Sequence, residues 1–164
     1  MRREPYDMHF NDGWRTNLER WIVRRLTPSR WPGHTEPRPD VSDKRAHANW
    51  LGRRGETYAC WWLCRNKGFV ILDRNYRNGP HELDIVARDG LVTVFVEVRT
   101  LSDDFLQRPS ASITPQKREC LHKAAAAWRQ ARRHRGAWRM DIFGIVWPDP
   151  ERLPARADHW AKCL

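Results

Sequence analysis

Apolar and polar residues alternate with period two most clearly over residues 81–100, HELDIVARDGLVTVFVEVRT. Two runs rich in β-branched residues, 81–88 and 92–100, flank Asp89-Gly90. An Asp-Gly pair between such runs predicts a hairpin, because a type I′ turn needs positive φ at both central residues. With Asp89 and Gly90 as the loop, Arg88 lies opposite Leu91, Asp84 opposite Phe95 and Glu82 opposite Glu97. Strand side chains alternate between faces, so Glu82, Asp84, Glu97 and Arg99 share one face.

The remaining pattern places helices around this hairpin. Leu51, Gly55, Ala59, Trp62 and Leu63 form one stripe of a helix over 48–66, with Asn66-Lys67-Gly68 as its stop. Residues 69–72 form a short apolar strand and 75–80 a polar loop. A loop over 101–113 leads to a second helix, capped by Thr114 with Pro115 at its first position, that runs to about residue 134. Residues 138–146 form a further strand, and the proline-bearing tail from Trp147 predicts nothing definite. The order is α-β-β-β-α-β, an α/β fold with a mixed sheet flanked by helices. Residues 1–46 stand apart as a basic, Pro- and Trp-rich extension to a domain over 47–164. Trp14, Leu18, Trp21, Ile22 and Leu26 have helical spacing with arginines between them, and Pro28, Pro32, Pro37 and Pro39 mark a linker over 26–43. The competing reading of this extension is a poorly ordered tail or a start codon assigned too far upstream.

Composition narrows the function. The 164 residues suffice for one domain with a core. Net charge is +10 with a pI near 10.2, and Arg outnumbers Lys 25 to 5. Such a surplus, in the better bidentate phosphate ligand, favours a polyanionic partner and above all nucleic acid. Cys60, Cys64, Cys120 and Cys163 lack CxxC spacing. Reduced core thiols are the preferred reading over a zinc site built from Cys60, Cys64 and His122. Neither a secretory leader nor a membrane-spanning run is visible, so a cytoplasmic protein without membrane contact is expected.

Three carboxylates crowded on one sheet face repel one another unless a cation compensates them. Asp84 and Glu97 suit Mg²⁺ or Mn²⁺, hard ions that keep several waters and accept a phosphate oxygen. A bound ion activates water and offsets charge on phosphorus oxygens, which is what phosphodiester hydrolysis requires. Arg99 stays protonated, so its role is electrostatic. The competing reading of Asp84 and Arg99 is a surface ion pair of little worth. Glu56, at the centre of the first helix, is a candidate third carboxylate. Lys117 points the same way as the stripe of Leu121, Ala124, Ala125 and Trp128, so it either aims at the site or snorkels at the core's edge. The basic run Lys117, Arg118, Lys123, Arg129, Arg132, Arg133, Arg135 and Arg139 contacts a DNA backbone or forms a solvated face. Glu82 is a ligand or supports the loop from Asn75, and Asp141 beside Arg139 is expected to be structural.

These residues resemble the YraN-like family of the restriction-endonuclease-like superfamily. The matching pieces are Gly55-Glu56-x-x-Ala59, Gly68-Phe69-x-Ile71-Leu72-x-Arg74-Asn75-x-Arg77, Glu82-Leu83-Asp84-Ile85-Val86, Val94-Phe95-Val96-Glu97-Val98-Arg99, Lys117 and Arg139-Met140-Asp141, within about residues 53–146. The family is similar in fold to archaeal Holliday junction resolvases. The resemblance implies a PD-(D/E)XK core, with Asp84 and Glu97 as metal ligands, Glu56 as the helix-borne acid and Arg99 in the position where Lys is commonest. His81 stands where a small Gly usually precedes the Glu-x-Asp element.

The expected function is a Mg²⁺- or Mn²⁺-dependent DNA endonuclease acting on branched or recombination intermediates. Glu56, Asp84, Glu97, Arg99 and Lys117 form its catalytic set, and Lys117, Arg118, Lys123 and Arg77 contact nucleic acid. By analogy with resolvases, it works as a homodimer. The alternative is a nucleic-acid-binding protein with a nuclease fold and little catalysis, in DNA repair or uptake. A third reading makes the N-terminal extension a docking segment for a protein partner.

Overall fold

The computed structural model describes residues 12–40, 42–101 and 113–164. Helix α1 spans Asp12–Leu26, and α2 spans Lys44–Trp62 and continues as a π-helical turn at Leu63–Lys67. Strands β1 (Val70–Asn78), β2 (His81–Asp89) and β3 (Val92–Leu101) form an antiparallel meander. Helix α3 (Pro115–Ala131) leads to β4 (Trp138–Val146), which pairs parallel to β3, and β5 (Arg156–Trp160) returns antiparallel to β4. The sheet order is β1-β2-β3-β4-β5. A parallel neighbour needs a crossover, and α3 lies within the one joining β3 to β4. The expected α-β-β-β-α-β succession is present, with α1 before it and β5 after it.

Local chemistry accounts for the helix ends. Asp43 caps α2 by accepting from the Ala46 N–H, and Gly68, at φ +71°, ends the π turn in the left-handed region. A Cβ on Gly68 would also meet Arg20 O at 2.9 Å, so this position lets α1 pass close by. Thr114 caps α3 as expected, its Oγ1 accepting from Lys117 N at 3.1 Å.

Three sequence expectations change. The polar loop over 75–80 is strand: β1 extends through Asn78, with Tyr76, Arg77 and Asn78 opposite Leu83, Glu82 and His81. An edge strand bearing polar side chains lacks the apolar signal by which strands are recognised. The β2–β3 turn is Gly90-Leu91, because Asp89 pairs with Val92. Gly90 alone supplies positive φ there, at +62°, so the turn is not type I′. The shift moves each partner by two residues and leaves every side chain on its expected face. Finally, β5 arises from the tail that predicted nothing. The expected loop over 101–113 lies largely outside the described residues.

The sheet carries a core on each face. Tyr58, Ala59 and Leu63 of α2 and its extension cover Ile85, Val94, Val96, Phe143 and Ile145 on one side. Leu121, Ala124, Ala125 and Trp128 of α3 cover Val86, Phe95 and Met140 on the other. Residues 27–40 lie against the first core. Trp31 packs edge-on against Tyr58 and Trp147, and the Arg54 guanidinium lies 4.7–5.3 Å from the rings of Trp31, Trp50 and Trp147. Trp61 Nε1 donates to Pro28 O at 2.9 Å and Trp50 Nε1 to Glu36 O at 3.1 Å.

Helix α1 docks through its polar side. Arg20 pairs with Asp89, Glu19 with Arg88, and Arg24 Nη2 donates to Asn66 O at 3.0 Å. Leu18, Trp21, Ile22 and Leu26 of the expected stripe point outward instead and are exposed. The side chains of Trp14 and Arg15 fall outside the described residues. No helix among the described residues is long and apolar enough to cross a membrane.

Candidate functional site

The site lies where β2 and β3 part. Their register runs from Asp89↔Val92 to Ile85↔Val96 and then stops. One step further, Asp84 is level with Glu97, not with Phe95. There the side chain replaces the backbone ladder: Asp84 Oδ2 accepts from Val98 N at 2.7 Å. The gap admits groups from both covering helices, Glu56 from α2 and Lys117 from α3.

Glu97 is the most buried of the three site acids Glu56, Asp84 and Glu97, its side chain 4% exposed. Lys117 Nζ lies 3.0 Å and Arg99 Nη2 3.3 Å from its Oε1. Its Oε2 is buried with no hydrogen-bond partner among the described residues. Burial, and then the neighbouring Glu97 charge, push Asp84 up to about 7, against the lowering effect of the Val98 N–H. Glu56 is also raised, chiefly by burial, although Arg74 and Asn75 oppose this. Its Oε2 likewise has no hydrogen-bond partner among the described residues.

Gly55 sets how closely α2 approaches β3. A Cβ there would fall 1.9 Å from Thr100 Oγ1, 3.2 Å from Thr100 Cβ and 3.4 Å from Ile145 Cδ1. Gly55→Ala therefore lifts α2 and carries Glu56 away from Asp84. Urea melts are expected to show about 1–3 kcal/mol of destabilisation from overpacking. A variant as stable as the parent would mean that Thr100 rotates aside at no cost.

The other expected site residues are engaged with partners or lie apart, Arg77 and Glu82 at the edge of a depression that Glu56 and Asp84 also line. Glu82 turns to Arg77, whose Nε and Nη2 each lie 3.1 Å from Glu82 Oε1. Lys123 pairs with Glu119 at 2.7 Å, one helical turn away. Arg118, half-buried, has no ion pair among the described residues. Much of the basic run is internally committed: Arg132 holds Asp73, Arg129 lies over Trp138, and Arg139 holds Asp89 and Asp141. Part of the charge surplus visible in the sequence is therefore paired within the fold.

Asp141 has the structural role expected of it. It is fully buried, 2.8 Å from His159 Nε2, 2.9 Å from Lys162 N and 3.0 Å from Arg139 Nε. The sequence pattern does not reveal His159, because its role depends on β5. The four cysteines are free, and burial drives the Cys60 thiol up to about 12, which suits a core thiol.

Among the described residues, no three His, Cys, Asp or Glu side chains stand close enough together to hold an ion. Mg²⁺ does not require three, since one or two carboxylates with waters and a phosphate suffice. Asp84 and Glu97 fit such an ion by donor type and by the unpartnered Oε2.

A mixed sheet covered by helices, with an acid on each of two parting hairpin strands and a cation two residues beyond the second acid, defines a restriction-endonuclease-like protein. A family model described as uncharacterised protein family UPF0102 matches residues 55–145. The chain belongs to this family, the YraN family, within that superfamily. It is 41% identical over 110 residues to a UPF0102 protein of Leifsonia xyli, an alignment covering 63% of this chain and 92% of that protein. A relative from Anaeromyxobacter dehalogenans is 39% identical over 123 residues, covering 67% of this chain and 90% of its own length. One from Streptomyces coelicolor is 42% identical over 103 residues, covering 60% and 77%.

Proposed function

We propose that this chain is a Mg²⁺- or Mn²⁺-dependent DNA endonuclease, with branched DNA as its substrate. The observation that carries this reading is the Asp84–Glu97 pair. An enclosed carboxylate with one oxygen unpartnered, beside a second whose ionisation it opposes, is costly to fold and suited to a divalent cation. Asp84 and Glu97 would hold that cation, and Glu56 adds negative charge from α2. The chemistry such an ion supplies is activation of water near neutral pH and neutralisation of charge at the phosphate. Lys117 and Arg99, which neutralise Glu97 Oε1, are in reach of the same locus and stabilise charge on the phosphate oxygens. Symmetric cutting of a branched duplex calls for two copies of the chain.

Labelled four-way junction, flap, single-stranded and duplex DNA, incubated with Mg²⁺ or Mn²⁺, test this reading. Cleavage is expected to need the metal and to fall by roughly 10²–10³-fold or more in Glu97→Ala. Lys117→Ala should lower it less. DNA binding without cutting in either metal would overturn the catalytic reading. A second reading, nucleic-acid binding without catalysis, draws support from the two cations already seated on Glu97. It expects salt-sensitive binding that survives Asp84→Ala, with no cleavage.

A further inference from the structure

A cleft of about 600 Å³ runs between α2 and β3, lined by Lys44, His47, Glu56, Asp84, Glu97 and Arg99 among others. A second depression of about 420 Å³ shares Ala48, Gly52, Glu56 and Asp84 with it and continues past Arg53, Arg77 and Glu82. The two form one groove across the small residues of α2, with the carboxylates midway and a basic group of residues at each end. A Cβ on Gly52 would meet nothing within 4 Å, so this floor is open.

The two ends differ in what their cations already do. At the far end, Arg77 is held by Glu82, and Arg53 lies 2.7 Å from Glu36 Oε2. At the near end, Lys44 has no ion pair among the described residues. His47 Nδ1 and Arg99 Nε are buried there without hydrogen-bond partners among the described residues. The His47 ring rests against Trp50, with centroids 5.7 Å apart, which limits its orientations. Lys44 and Arg45 occupy the first turn of α2, which contains no acid beyond the capping Asp43. The helix dipole disfavours cations at that position and favours an anion beside it. Lys44 and His47 Nδ1, without partners among the described residues, and Arg99 Nε, whose own Nη2 stays on Glu97 Oε1, are placed to meet an acceptor-rich anion.

We propose that the Lys44–His47–Arg99 end of the groove is a phosphate subsite, which holds a nucleic-acid strand by a phosphate next to the one at the carboxylates. The inference rests on the nucleic-acid reading above and gives the strand a direction of anchorage. The neutralised Arg53–Arg77 end contributes little.

Fluorescence anisotropy with labelled hexathymidylate, in EDTA and with the full chain, measures the subsite apart from catalysis. Lys44→Ala/His47→Ala is expected to bind about tenfold more weakly than the parent. Its dependence of log K on log salt should flatten by about 0.7 for each phosphate that is no longer neutralised. Arg53→Ala at the opposite end should bind within about twofold of the parent. Mn²⁺ affinity, from titration calorimetry, should match in parent and double variant. The double variant should melt no lower than the parent, because it loses a cation from a helix N-terminus. Inorganic phosphate as competitor should displace the strand only weakly; displacement at low concentration would indicate a site for free phosphate. Parent-like affinity and salt slope in the double variant, equal weakening by Arg53→Ala, or no binding of hexathymidylate by the parent would each overturn the proposal. If the expected binding pattern accompanies an absence of cleavage in any metal, the nuclease reading fails and the subsite stands.

Discussion

Asp84→Asn is expected to make the metal-free protein more stable at pH 8 while abolishing metal-dependent cleavage of DNA. The asparagine oxygen still accepts from Val98 N, but the charge facing Glu97 is gone. The ordinary Asp value is 3.8, and in the folded protein Asp84 is pushed up to about 7. Between these values the folded state keeps a proton that the unfolded state has lost. Wild-type stability therefore falls as pH rises from about 4 to about 7 and levels off above. The variant lacks this decline. Its advantage should be absent near pH 4 and grow to on the order of 2 kcal/mol by pH 8. Millimolar Mg²⁺ should restore the wild type by mass action and leave the variant unmoved. Urea melts in EDTA at both pH values check this; a variant less stable than the parent at pH 8 would refute it. A site that strains its own fold in the absence of ligand fits the general exchange of stability for function.

Asp141→Ala is expected to destabilise the fold more than any of the substitutions above. Asp141 is fully buried and satisfies His159, the Lys162 N–H and Arg139 together. Truncation leaves His159 and an N–H without that acceptor, and Arg139 with only Asp89. Removing one partner of a buried ionic network costs about 3–5 kcal/mol. For a chain of this size that lowers Tm by roughly 10 °C. Loss should begin with β5, which the network ties to β4, so amide exchange across 156–160 should rise before the rest of the sheet opens. A loss below about 1 kcal/mol would mean that water replaces the carboxylate. Asp141→Asn, which keeps an acceptor, should cost less.

The elements legible in the sequence are those in which pattern and burial coincide. Strands β2, β3 and β4 are buried centrally and rich in β-branched residues, and α3 has both its cap and its apolar stripe. The two acids and the cation are legible for the same reason: period-two alternation fixes their face even when the turn is displaced by one residue. Strand β1 beyond Leu72 is not legible, because Asp73 to Asn78 is polar and lies at the sheet edge. Strand β5 is hidden because His159 and Asp158 gain strand partners only through β4. The stripe on α1 reads as helical, and it is, yet the direction it faces is not legible. The ion pairs that seat the polar side of α1 come from residues 69 positions away in the chain. The basic run shows the opposite limit: charge counts are visible in sequence, but the internal carboxylates that neutralise them are not.

Trp31 lies outside the stretch that the family model matches, residues 55–145, yet it completes an aromatic wall with Tyr58 and Trp147. A recombinant fragment cut to the matched stretch would keep Tyr58 and Trp61 but lose Trp31, Trp147 and the Arg54 guanidinium that lies over those two. It would also lack β5 and with it the His159 contact to Asp141. The smallest well-folded fragment for crystallisation or isotope labelling therefore begins ahead of Trp31 and runs past Trp160, well beyond the boundaries that family similarity alone would suggest.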